Sequence, residues 1–207
     1  MKTKTFSKII ITGSIVFGLV LLITLSTTNN AISFNSFAQE NNNTTNVKDA
    51  FTLSGPISSL VYVPSNNTNN SKAVNITEHL NSMSKFVLTG NWSISAKQGK
   101  ITDFKTSFIK VLADGNKRHT HDLINFKQDN NTNAQLTADN NLSFNGIVDV
   151  KLNKDIPWTK VNVDINIEKG NTIAIKLNNK QTGNHFEDQP IYGVVTSMID
   201  GNGTKIK

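Results

Sequence analysis

The sequence predicts an all-β fold, a single antiparallel sandwich or irregular barrel, and three observations carry that prediction. First, residues 159–167 alternate without a fault: Val161, Val163, Ile165 and Ile167 on one face, Lys160, Asn162, Asp164 and Asn166 on the other. This is the period of a half-buried antiparallel strand. Second, short strand-forming runs are separated by turn signals such as Asp114-Gly115-Asn116 and Lys169-Gly170-Asn171, whose residue types tolerate positive φ. Third, no long stretch carries a persuasive helical period.

Ahead of the domain, residues 1–38 read as a targeting segment. Lys2, Lys4 and Lys8 precede an uncharged run over 9–25, and Ser36-Phe37-Ala38 offers small residues at the positions a signal peptidase reads. The run suits either a cleaved signal peptide or a retained membrane anchor. Both outcomes leave the remainder outside the cytoplasm, secreted or tethered to the outer face of the membrane. Residues 39–49 are polar and read as a flexible linker, with residues 50–207 as the all-β domain.

Within the domain, 50–63 reads as one or two short strands broken at Gly55-Pro56, and 64–72 as a polar loop. Ile76, Leu80 and Met83 have helical spacing over too short a span to stand alone. A strand over 86–96 contains Gly90, a point for a bulge or a close approach, and Gln98-Gly99-Lys100 turns the chain into a hairpin over 103–126. Residues 128–141 read as a surface loop. A strand over 142–152 follows, Pro157 marks an edge or a break, and the 159–167 and 173–177 strands form a second hairpin. Residues 178–189 are a polar loop. Residues 191–199, apolar at both parities, read as a central strand covered on both faces.

Composition excludes several functions. There is no cysteine, which removes thiol catalysis, iron–sulfur clusters, zinc ribbons and thiolate copper sites. Residues 1–38 hold three lysines and no acid, so their removal lowers the net charge from +6 to +3. No basic run interleaved with aromatics remains, which argues against nucleic acid. Asn-x-Ser/Thr sequons recur, for example at Asn91, Asn130 and Asn202; an Asn- and Thr-rich composition produces most such sequons by chance, and on an exported chain a few in loops could serve as glycosylation acceptors.

The chemistry concentrates at His119 and His121. Residues two apart on a strand share a face, so the two imidazoles point the same way. With a two-residue turn at Asp114-Gly115, His119 faces Lys110 and His121 faces Phe108; with a three-residue turn the partners become Ile109 and Ser107. Two imidazoles suit copper or zinc but need further ligands, for which His185, Glu187 and Asp188 in the polar loop are the nearest donors by type. Asp122 falls on the opposite face. The bland alternative is that the pair are ordinary strand residues. Trp92 and Trp158 offer stacking faces for a glycan. Glu187, Asp188 and Glu168 are the carboxylates a hydrolase would draw on. No strained nucleophile turn accompanies the serines.

The segments His-Thr-His-Asp-Leu-Ile-Asn-Phe at 119–126 and His-Phe-Glu-Asp-Gln-Pro-Ile-Tyr-Gly at 185–193, with Ser36-Phe37-Ala38-Gln39, resemble a group of small exported proteins from ammonia-oxidising archaea. The resemblance covers about 85–199 and implies an exported archaeal protein, with no activity, ligand or site residue attached. Three readings follow: a non-enzymatic β-domain binding an envelope protein or glycan, an extracytoplasmic copper- or zinc-binding protein, and a hydrolase.

Overall fold

The computed structural model describes residues 47–64 and 83–207. The targeting segment, most of the linker and the Ile76–Leu80 spacing lie outside these residues. Among the described residues no helix is long and apolar enough to cross a membrane.

Nine strands run in the order β1 (Phe51–Val63), β2 (Ser84–Lys97), β3 (Lys100–Leu112), β4 (His119–Gln128), β5 (Leu142–Leu152), β6 (Asp155–Glu168), β7 (Thr172–Leu177), β8 (Ile191–Val194) and β9 (Ser197–Asp200). Each strand from β2 to β8 pairs antiparallel with the next, β8 pairs with β1, and β1 pairs back onto β2. This closes an eight-stranded barrel, with β9 added beside β1. Of the two architectures the sequence leaves open, the barrel is the one adopted.

Alternation decides which side chains line the interior. Phe104, Thr106, Phe108 and Lys110 of β3 are buried at one parity, as are Phe51, Leu53, Ile57 and Val61 of β1 and Val161 to Ile167 of β6. Packed side chains fill the barrel, as expected for eight strands. The hairpins follow the turn chemistry: Gln98 and Gly99 both have positive φ in the two-residue turn between β2 and β3, as do Lys169 and Gly170 in the three-residue turn between β6 and β7. Gly90 is the close approach expected of it, since a Cβ there would lie 2.1 Å from the Ser107 carbonyl oxygen.

Four expectations are corrected. Gly55-Pro56 does not interrupt β1, which runs for 13 residues and pairs with β2 along its whole length. Pro157 sits inside β6; the break it causes is absorbed by register shifts against β5, where neither Ile156 nor Pro157 has a partner. The 191–199 run is no doubly covered strand: Val195 and Thr196 divide it into β8 and β9, and Tyr192 and Val194 are exposed on the barrel wall. The segment after β4 is only partly surface loop, because Ala134 and Leu136 are fully buried. Leu136 exchanges two backbone hydrogen bonds with Lys48, so Lys48 belongs to the fold and not to a free linker.

Leu136 and its loop close one end of the barrel. At the other end meet the β3–β4 turn, the β5–β6 turn and the 178–190 segment. There the interior is polar as well as apolar, and the histidines sit there.

Candidate metal centre

β4 begins at His119, and its partner register on β3 is Lys110 with His119 and Phe108 with His121. This is the two-residue-turn register, although regular pairing stops at Lys110 and His119 and a wider turn follows. Asp114 accepts the Asn116 backbone N–H, and Gly115 takes φ 89° at its tip. Both histidines therefore face the interior, and His121 is completely buried.

His185 arrives from the 178–190 segment, a run of tight turns with positive φ at Gly183, Asn184, Glu187 and Asp188. Three devices fix it. The Thr182 hydroxyl, fully buried, donates within the segment to the carbonyls of Asn178 and Asn179. Gln189 clamps the far end to β1, accepting from the Tyr62 N–H at 3.1 Å and donating to the Tyr62 carbonyl at 2.7 Å. Phe186, 2% exposed, inserts as a plug beneath the imidazoles.

The result is a cluster of three imidazoles, each offering one ring nitrogen, with those nitrogens all within 4.8 Å of one another. Nε2 of His185 lies 3.1 Å from Nε2 of His121 and 3.3 Å from Nε2 of His119. Metal–nitrogen bonds of about 2.0–2.1 Å at a tetrahedral angle separate two nitrogens by about 3.3 Å. The cluster matches the spacing a bound ion requires.

The other ring nitrogens face backbone carbonyls. His119 Nδ1 lies 2.7 Å from the Lys117 carbonyl and His121 Nδ1 3.3 Å from that of Lys151. Carbonyls only accept, so each Nδ1 carries the proton and each Nε2 presents its lone pair to the cluster centre. This is the arrangement by which an outer partner orients a histidine ligand. A single N–H on His185 Nε2 can serve one of the two facing lone pairs and leaves the other opposed. A cation satisfies all three.

Burial favours the neutral form of His121 and His185. It pushes His121 down to about 3, reinforced by the charges of His185, His119 and Lys110. It pushes His185 down to about 4, reinforced by Lys110 and His119. Lys110 itself is 3% exposed. Its ammonium donates to the His185 carbonyl and lies over the rings of Phe86 and Phe186, at 4.6 Å and 5.4 Å. Burial lowers it to about 8, partly offset by the charge of Glu187.

The remaining sequence candidates fall elsewhere. Asp122 is on the outer face, accepting from the Ser107 hydroxyl at 2.6 Å. Asp188 pairs with Lys176 at 3.3 Å, and neither it nor Glu187 joins the histidine cluster. Glu168 lies at the β6–β7 turn, ten residues from Trp158 along β6 and therefore roughly 30 Å away along the strand. Trp92 is 2% exposed inside the barrel, so it cannot stack on a glycan with Trp158. Trp158 instead packs its ring 5.2 Å from that of His185. A surface depression lined by Lys127, Asn145, Asp164, Lys176 and Asp188 is open, of mixed charge, and includes none of the three histidines.

Sequence reading places Lys110 opposite His119, as a neighbour that would disfavour a cation there, but misses its burial, and it misses Phe186 altogether. Lys110 was legible: it shares its parity with Phe104 and Phe108, so a lysine on the buried face follows from the alternation. Phe186 gave no such signal, being a lone aromatic in a polar loop. No family model, curated protein or solved structure matches the chain.

Proposed function

We propose that the protein is an exported β-barrel that binds one divalent transition metal, copper or zinc, through Nε2 of His119, His121 and His185. The observation that carries this reading is the convergence of three imidazole nitrogens, at 3.1 Å and 3.3 Å between neighbours, from two separate parts of the chain. Burying three imidazoles together costs desolvation and sets lone pairs against each other, and a packed apolar cluster would be more stable there. Metal binding returns that cost. The carbonyl partners of His119 and His121 fix the ligand-competent tautomers, as a binding site needs.

Imidazole donors without thiolate suit both Cu²⁺ and Zn²⁺, with Cu²⁺ the tighter by intrinsic affinity. The donors belong to the domain that the targeting segment would carry outside the cytoplasm, so the function is extracytoplasmic metal binding. Burial of Trp92 inside the barrel leaves a glycan-binding module without the tryptophan pair it would use.

Isothermal titration of chelator-treated protein with Zn²⁺ and Cu²⁺ tests the reading. One equivalent per chain is expected for wild type, and none for the His119→Ala/His121→Ala double variant. Equal heats from both proteins would remove the histidines from any metal site.

A further inference from the structure

Three neutral imidazoles leave both charges of a divalent ion uncompensated. The nearest additional charge is also positive: Lys110 faces His119 across the β3–β4 ladder, and its ammonium donates to the backbone carbonyl of His185. The Lys110 charge acts on both His121 and His185, so this second cation stands near the first. No carboxylate oxygen joins the cluster among the described residues, and Asp188 is engaged by Lys176. Glu187 is close enough to act on Lys110 but lies outside the ligand group. Around the imidazoles stand apolar rings, with Phe108 5.2 Å from His121, Phe186 5.2 Å from His121, and Trp158 5.2 Å from His185.

Positive charges in such a setting are stabilised weakly by solvent and strongly by a neighbouring anion, since a low local dielectric amplifies both terms. A metal site that closes with three protein ligands and a tetrahedral preference keeps one position for an outside ligand. His119 and His185 are half-buried while His121 is sealed, so a ligand from solvent would have to enter beside the first two.

We propose that the fourth coordination position of the bound metal is taken by a small exogenous anion, drawn there by the metal and by the Lys110 ammonium together. The inference rests on the metal-binding reading above and adds what that reading leaves open, the chemical class of the ligand that completes the site. Lys110 thereby acquires a role. It pins the His185 carbonyl and supplies a fixed positive charge that selects an anion over a neutral molecule.

The test uses Co²⁺ in place of the native ion, because its visible bands report coordination directly, with azide as the anion. Co²⁺ should bind in a four-coordinate form with visible absorption, and azide should shift those bands in a saturable one-to-one titration. Lys110→Met also loses the tie to the His185 carbonyl, so it is compared with wild type only after saturation with Co²⁺: the azide affinity of the loaded protein should fall about tenfold, and Lys110→Arg should restore most of it. Circular dichroism verifies that both variants fold; the wild-type azide titration stands without them. Co²⁺ bands that azide leaves unchanged overturn the inference while the metal reading survives. Bands that azide leaves unchanged but Glu187→Gln alters would mean that this chain supplies its own fourth ligand, which also overturns it. Failure of Co²⁺ to bind at all removes the metal reading and this inference with it. Equal azide affinity in wild type and Lys110→Met removes Lys110 from the proposal.

Discussion

The three histidines are held by two kinds of restraint, and the consequences of losing each differ accordingly. His119 and His121 are fixed by strand geometry and by carbonyls behind them. His185 depends on loop contacts. Disturbing an outer partner of a metal ligand typically costs 10–100-fold in affinity, so removing a ligand should cost at least about 100-fold. Titration of His185→Ala with Zn²⁺ should show this loss, with the circular dichroism spectrum unchanged because His185 is half-buried and sits off the ladder. The neutral state of His121 also makes a prediction for the metal-free protein. Its folded value near 3 is below the unfolded value of 6.5, so the unfolded chain binds the extra proton between those limits. Stability is then complete above about pH 6.5 and falls as pH drops toward 3, by about 1.4 kcal/mol per pH unit for this one group. Urea melts of chelator-treated protein across pH 4–7 should show at least that slope, since His185 adds its own, and His121→Leu should reduce it.

At the scale of elements, the 178–190 segment determines whether the site assembles. Its positive-φ turns and the buried Thr182 shape it internally, while Gln189 ties it to β1 and Lys110 ties it to β3. Gln189→Ala leaves the Tyr62 backbone groups without their partner, costing about 1–3 kcal/mol, and frees the segment that carries His185. Metal affinity should fall about tenfold although no ligand is touched, a second-shell effect of the usual size. The same segment shows where sequence reasoning stops. That His119 and His121 share a face follows from the strand period alone. That His185 meets them depends on a loop whose path is set by Gln189, Thr182 and Phe186, contacts with no periodic signature. His185 was identifiable as a ligand by residue type, and its placement was not. The alternation of β6 and the turn residues at Gly99, Asp114 and Gly170 located most strands; the division of 191–199 did not show because Val195 is as apolar as its neighbours.

For the whole molecule, closure of the barrel is the condition on which the site depends, and the seam is narrow. β8 meets β1 at the single pairing of Ile57 with Gly193. A Cβ at Gly193 would lie 2.6 Å from the Pro56 carbonyl oxygen and 2.9 Å from both Ile173 Cγ2 and Trp92 Nε1. Gly193→Ala should therefore destabilise the protein by about 1–3 kcal/mol through overpacking. Thermal unfolding measures this, and β8 is the strand that the 178–190 segment leads into. Metal binding works in the opposite direction. An ion bridging β4 and this segment binds only the folded state, so saturating Zn²⁺ at 100 times its dissociation constant should add about 2.7 kcal/mol.

The central claim is that three imidazoles from β4 and the 178–190 segment hold one metal ion. Crystallography of zinc-soaked protein, with anomalous maps on either side of the zinc edge, tests this most directly. The account predicts one strong peak per chain, about 2.0–2.1 Å from Nε2 of His119, His121 and His185. A fully occupied peak at other residues, or none between the three rings in protein that has taken up zinc, would contradict it.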